Sequence, residues 1–583
     1  MNINFYRSNF PYAALGGTAA IAALVIVLPA VANSPKQLGD SPEQIQRNQQ
    51  IYQYAKTITV QINRPPNSVI GQTKDGSGAI VKREGNTYFV LTCNHVVNPD
   101  SGPPPVSIRP GAGVEEYPIT SVKILGTDTI GSNDLALVTF NSPRDYPVAT
   151  LRASSQTKQY SKMFVAGYPV NNDTGSIGAA RAFNFQKGVM LPAQTSAMGG
   201  YTMQYAAQTA GGMSGGPVLD ADGKVIGIHG SATKTNSLKL LEAGGVEKDV
   251  SFDIGIKTDV SGAIPSNTFI AVIQQNGIGG LQVDNSPSTD NPMQAINNPQ
   301  TADDWVAKGF SQPSNKTAAI NAFSQAIALD PSNSIAYYNR GNARYDQGDK
   351  QGAIADYNEA IRLNPNNANA YYNRAVVRYY SGDKQGAVQD FTVALRFNPD
   401  DILAYHSRGT ILRSLQDGRG AFADFDQVVR LAPNLPQAYY NRGLARSLIG
   451  DRNGTIADFS QAIALNPRFT NAYVNRAIAV RRMGQPQAAI ADLNAVLSYD
   501  QNNAVAYYTR GLFRRDLEDR LGASEDLQRA AALFQQAGDG ANYRRTMQAI
   551  QQLQSSPVAP PPTQPNFGQP GGEIVPDGSL GPI

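Results

Sequence analysis

The sequence predicts two fold classes in one chain, an all-β domain of barrel or sandwich type followed by an all-α solenoid. Three observations carry this. At 583 residues the chain is too long for a single hydrophobic core. Between Ile51 and Asn276, short β-branched runs alternate with Gly, Pro, Asn and Asp. From Thr301 onward one pattern recurs every 34 residues without insertion.

The N-terminus reads as a targeting signal. Arg7 precedes an apolar run from Ala13 to Ala32 that closes on Ala30-Val31-Ala32, small enough for a signal peptidase. Residues 1–32 are therefore expected to be a signal peptide, and the rest an exported chain, periplasmic or extracellular. A membrane attachment is expected only if this segment is not cleaved, since the run is just long enough to span a bilayer if Pro29 is tolerated. Residues 33–50 are polar and read as a pro-segment or linker. A formal net charge of +3 gives no footprint for nucleic acid. The single cysteine, Cys93, excludes an intrachain disulfide and a cysteine-based metal site. No metal and no cofactor are expected.

Candidate strands of the 51–276 domain include 57–62, 88–92, 135–140 and 225–229. A helix is expected to close it after Pro265-Ser266-Asn267. Residues 277–300, rich in Gly, Asn, Ser and Pro, read as a linker. Residues 555–583 read as a disordered Pro/Gly-rich tail to which no function is given.

The repeat is legible position by position. Ala302, Ala336, Ala370, Ala404, Ala438, Ala472 and Ala506 keep the period, as do Pro331, Pro365, Pro399, Pro433 and Pro467. Phe323, Tyr357, Phe391, Phe425, Phe459, Leu493 and Leu527 supply one large apolar residue per unit. Small residues such as Gly341 and Ala353 let two antiparallel helices approach, the large residue fills the gap, and proline ends the second helix. One such unit cannot bury its own apolar face, so units stack. Seven units run from Thr301 to Gln536, and 541–554 forms an end helix, giving a solenoid over 301–554. This pattern resembles the tetratricopeptide repeat (TPR), which implies an inner groove that binds protein partners. An arginine column (Arg340, Arg374, Arg408, Arg442, Arg476, Arg510) suggests either a groove for acidic or C-terminal carboxylate segments or simple pairing with Asp356 and Asp390. Residues 300–554 hold 28 basic and 24 acidic side chains, which favours pairing.

Chemistry concentrates in Gly211-Gly212-Met213-Ser214-Gly215-Gly216-Pro217. A glycine-rich turn aims successive backbone N–H groups into one concavity, able to hold an oxyanion beside a serine hydroxyl. A nucleophilic serine needs a base, and the chain has three histidines, His95, His229 and His406. His406 lies in the repeats. His95 ends a strand in Thr92-Cys93-Asn94-His95-Val96-Val97, and Asp134 opens another in Asn133-Asp134-Leu135-Ala136-Leu137. The order His, Asp, Ser belongs to chymotrypsin-like enzymes.

These motifs together resemble bacterial trypsin-like serine peptidases. The resemblance implies a double β-barrel over 51–276 with its site between the barrels. It also implies His95 as general base and acid, Asp134 as its orienter (with Asp128 as fallback) and Ser214 as nucleophile. The N–H groups of Gly212 and Ser214 are the implied oxyanion hole. Protein or peptide substrates follow. The flanking disulfide of animal trypsins is missing, and no activating Ile-Val-Gly-Gly start is present. Gln208 stands where trypsin's pocket has an aspartate, so Lys or Arg preference is not implied. Thr209 and His229 match the pocket threonine and histidine of glutamyl endopeptidases and suggest recognition of a substrate carboxylate; the alternative for His229 is a satisfied strand histidine. Likeness to the Deg/HtrA group stops at the catalytic domain, because no PDZ-like segment follows. The competing functional reading is a catalytically silent scaffold.

Overall fold

The computed structural model describes residues 41–63, 76–97, 107–111, 115–126, 133–169, 181–193, 201–207, 209, 213–232, 256–257 and 260–555. The expected signal peptide, Gln208, Gly212, Asp128 and the C-terminal tail lie outside the described residues.

A helix, α1 (Pro42–Ile58), leads into the β domain. Ser41 and Gln44 form a capping box and Pro42 opens the first turn. Ile51, Ala55 and Ile58, spaced i, i+4, i+7, are buried against the barrel. Residues 42–50 of the expected pro-segment are therefore the opening turns of a helix whose later turns dock on the barrel. The strand expected from Thr57 begins only at Thr59, because Ile58 still belongs to the helix's apolar face.

The first barrel is closed by β1 (Thr59–Asn63), β2 (Gly76–Glu84), β3 (Thr87–Thr92), β4 (Ser107–Pro110), β5 (Tyr117–Ile124) and β6 (Ala136–Asn141), in the order β1-β2-β3-β6-β5-β4. A short helix, α2 (Asn94–Val97), follows β3. The second sheet contains β7 (Leu151–Arg152), β8 (Lys162–Gly167), β9 (Asn184–Leu191), β10 (Met203–Ala206), β11 (Pro217–Asp220), β12 (Val225–Ala232) and β13 (Val260–Pro265). Six of these, β11-β8-β9-β10-β13-β12, close on themselves through the β11–β12 pairing, so the domain is a double barrel. The expected closing helix, α3 (Ser266–Gln275), is present, but Ser266 does not cap it; its hydroxyl donates to the Arg152 carbonyl at 2.5 Å.

The segment read as a linker is structured too. β14 (Val283–Asp284) pairs in parallel with β7, and α4 (Pro292–Asn297) follows. Charge holds it there. Buried Arg152 binds Asp220 at 2.5 Å, Asp222 at 2.6 Å and Asp284 at 3.1 Å. Arg47 of α1 pairs with the same Asp222. One guanidinium thus ties the second barrel to the segment after it, a role invisible in local composition.

The solenoid begins with α5 (Ala302–Phe310) and α6 (Lys316–Leu329) and continues as α7 (Ser334–Asp346), α8 (Lys350–Leu363), α9 (Ala368–Tyr380), α10 (Lys384–Phe397) and α11 (Ile402–Ser414), up to the seventh pair, Ala504–Asp516 with Arg520–Gln536. Gly540–Ser555 ends it. A Cβ at Gly341 would stand 2.8 Å from the Tyr357 ring, so the close helix approach needs glycine there. Every arginine of the column is spent internally. Arg340, Arg374, Arg408, Arg442, Arg476 and Arg510 each bind the aspartate sixteen residues on, from Asp356 to Asp526, through Nε and Nη2. The column is mortar between paired helices, not a receptor for acidic segments.

The domains meet where Val189 of β9 packs with Val306 and Phe323. Lys187 pairs there with Asp303, and Lys162 with Asp304 at 3.4 Å. Among the described residues, no helix is long and apolar enough to cross a membrane.

Replacing Arg152 with alanine would strand Asp220, which is fully buried. We expect a loss of about 3–5 kcal/mol in the stability of the second barrel, measured by urea unfolding followed by circular dichroism; a loss below about 1 kcal/mol would show that the cluster is not a buried ionic tie.

Candidate active site

Each barrel delivers its part through the strands that close it. β3 ends at Thr92 and turns into α2, which carries His95; β6 begins just after Asp134. These strands are neighbours, pairing Thr92 with Ala136. The backbone closes the gap further, with the Asn94 N–H donating to the Asp134 carbonyl at 3.2 Å. The Asp134 carboxylate then accepts the His95 backbone N–H at 2.9 Å and faces Nδ1 of the ring at 2.5 Å. Asp134 is fully buried, while His95 keeps 27% of its side chain exposed. Burial pushes the Asp134 carboxyl up, but the hydrogen bond and charge of His95 and the Tyr201 hydroxyl outweigh it and hold the group below its ordinary value.

Ser214 sits in the turn before β11, at the seam of the barrels. Its carbonyl accepts the Ser77 N–H at 2.8 Å. The two glycines after it are dictated by this seam. Gly215 has φ +88°, and a Cβ there would lie 2.1 Å from the Ser77 carbonyl and 2.2 Å from the Thr92 hydroxyl, both in the first barrel. A Cβ on Gly216 would meet the Ala166 carbonyl of the second barrel at 2.0 Å. The Ser214 hydroxyl donates to the Gly230 carbonyl at 2.7 Å. Among the described residues the structure thus joins His95 with Asp134, while the Ser214 hydroxyl points to Gly230 instead of the imidazole.

The candidate pocket residues differ in outcome. Thr209 is half-buried and its hydroxyl bonds Ser261 at 2.9 Å. His229, on β12, is buried, with Nδ1 2.5 Å from the Tyr205 hydroxyl. Burial, aided by the charge of His95, lowers its pKa to about 3 against the pull of a hydrogen bond to the Gly262 backbone. It is a buried, hydrogen-bonded strand histidine whose surroundings disfavour its charged form. Cys93 is a buried free thiol that donates to the His229 carbonyl at 3.3 Å. Cys93, His95 and Asp134 bring three potential metal-ligand atoms within 4.8 Å of one another. Of these atoms, His95 Nδ1 faces Asp134 Oδ2 and the Cys93 thiol donates to the His229 carbonyl.

Tyr201 is the residue that the sequence did not disclose. Its hydroxyl donates to Asp134 Oδ2, and its ring lies over Gly230, where a Cβ would come within 1.6 Å of it. Glycine after His229 therefore makes room for a tyrosine of the second barrel to reach a carboxylate of the first. Nothing at position 201 itself signals this, since the contact spans 67 residues. Tyr201→Phe should lower kcat/KM about tenfold through misorientation of the Asp134–His95 pair, with KM little changed; unaltered kcat in a peptide-cleavage assay would show the hydroxyl to be only structural.

Comparison with known proteins agrees with this geometry. A family profile described as a trypsin-like peptidase domain matches residues 76–228, and one described as a TPR repeat matches 316–348 and 341–382. The Bacillus subtilis (strain 168) protein named serine protease Do-like HtrB is 28% identical over 200 residues, 34% of this chain and 38% of that protein. A Staphylococcus epidermidis protein named glutamyl endopeptidase is 30% identical over 182 residues, 29% of this chain and 58% of that protein. The chain thus spans less than two thirds of the length of these relatives. Among solved structures, a tetratricopeptide repeat protein from Parabacteroides merdae ATCC 43184 aligns with 44% of this chain and 100% of its own, at 22% identity and a TM-score of 0.32. The chain carries a trypsin-like peptidase domain built as a double barrel, followed by a solenoid of tetratricopeptide repeats.

Proposed function

We propose that the protein is an exported serine endopeptidase whose repeats recruit protein substrates or partners. The observation that carries the catalytic part is the buried Asp134 carboxylate bound to His95 Nδ1 at 2.5 Å. An imidazole so held keeps its proton on Nδ1 and leaves Nε2 free to act as a base. For attack, the Ser214 hydroxyl must leave the Gly230 carbonyl for His95; in free enzymes this contact commonly tightens only when substrate binds. Ser214 Oγ then attacks the peptide carbonyl as His95 takes the proton. The N–H groups of Gly212 and Ser214 receive the developing oxyanion. His95 returns the proton to the leaving amine, and the acyl-enzyme is hydrolysed by a water that His95 activates.

A glutamyl preference is the finer reading. Thr209 and the similarity to a glutamyl endopeptidase support it, while the burial that disfavours a charged His229 weighs against it. Export rests on the signal-like residues 1–32 and recruitment on the repeat family. Cleavage of a peptide library sorts the preference: dominant cutting after Arg or Leu removes the glutamyl reading.

A fluorophosphonate probe should label the wild-type chain and fail to label Ser214→Ala. Turnover should fall by several orders of magnitude in Ser214→Ala and by about 10⁴ in Asp134→Asn. An unlabelled wild-type chain without peptidase activity would favour the silent scaffold.

A further inference from the structure

The inner groove of the solenoid is not empty. Lys257, three residues before β13 begins, lies in it and is buried to 2% exposure. Its main chain is gripped by side chains of two successive repeats. Asn373 of α9 accepts the Lys257 N–H at 2.6 Å through Oδ1 and donates to the Lys257 carbonyl at 2.7 Å through Nδ2. The hydroxyl of Tyr338 on α7 donates to the same carbonyl at 2.6 Å, and Asn342 lies 3.4 Å from it. The grip is preset: the Tyr357 hydroxyl donates to Asn342 Oδ1 at 2.7 Å, and Asn373 Nδ2 also contacts Tyr338 and Asn342 at 2.8 and 2.9 Å. A carboxamide that serves both N–H and C=O of one residue holds any extended chain, whatever its side chains.

The side-chain contacts are selective. Lys257 Nζ forms an ion pair with Asp401 and lies 4.0 Å from the centre of the Tyr372 ring. Ile256 packs against the cluster that includes Tyr372. Asp401 also caps α11, its Oδ1 accepting the Ala404 N–H at 3.1 Å. Capping alone does not require an acid, and the equivalent positions elsewhere are Asn333, Asn367, Leu435, Phe469 and Asn503. This is the fourth repeat's own departure from the pattern, and it places a carboxylate and an aromatic face around one ammonium.

We propose that Asn373, Tyr338, Tyr372 and Asp401 form a lysine-reading clamp for extended peptide, occupied in cis by Ile256-Lys257 and open to a lysine-bearing segment of another protein when that ligand leaves. This deepens the recruitment part of the proposed function, rests on that reading, and is independent of catalysis. The side chain it reads is a cation, opposite in charge to the carboxylates that the arginine column suggested.

The test uses the full chain carrying Ser214→Ala, so that no probe is cut. A fluorescent peptide spanning residues 253–261 is compared with the same peptide bearing norleucine in place of lysine. Tethering holds Lys257 at an effective concentration on the order of millimolar, so Lys257→Ala should bind the lysine peptide at least about tenfold more tightly than the parent. The norleucine peptide should bind the Lys257→Ala chain at least about tenfold more weakly than the lysine peptide does. Adding Asp401→Asn, which keeps a capping side chain, should abolish that preference. Equal binding of the two peptides overturns the lysine clamp and leaves peptide recruitment standing. Binding of neither peptide overturns both. Equal affinity of parent and Lys257→Ala chains overturns occupation in cis.

Discussion

One buried carboxylate organises the peptidase domain. Asp134 is fully buried, so its charge depends on donors within the protein. The first barrel supplies the main-chain N–H and ring nitrogen of His95, and the second supplies the hydroxyl of Tyr201. Satisfying this charge and orienting the imidazole are the same act. It also fixes the seam: Gly230 must lack a side chain for Tyr201 to pass, and Gly215 and Gly216 must lack one for the Ser214 turn to fit between the barrels.

Charge is handled by similar logic in the solenoid. Six arginines bridge the two helices of their units through bidentate pairing with aspartate, an arrangement whose geometric match gives specificity as well as energy. With those arginines satisfied internally, recognition in the groove falls to Asn373, Tyr372 and Asp401. Because β13 pairs with β12, which bears His229 and Gly230, the residue held in the groove is only a few positions from strands that build the candidate active site.

Features with a fixed sequence period or motif were legible before any coordinates. The 34-residue alternation of small and large residues defined seven helix pairs, and His95, Asp134 and the Ser214 turn marked the candidate site. What escaped were contacts between residues far apart in sequence. Polar residues 41–50 and 277–300 read as linkers because the charges that hold them, Asp222 for Arg47 and Arg152 for Asp284, lie elsewhere in the sequence. The helix α1 overran an expected strand because Ile58 suits either structure until its buried face is known. Tyr201 and Lys257 carry no motif at all; each acquires its role only when a distant Asp134 or Asp401 comes within reach.

The most direct test of this account is a double-mutant cycle on kcat/KM that combines Asp134→Asn with Tyr201→Phe. If Tyr201 acts only through the carboxylate, removing its hydroxyl should cost nothing further once Asp134 is asparagine, so the two effects should be strongly non-additive. Fully additive losses would contradict the claim that a single buried carboxylate, held from both barrels, sets the imidazole.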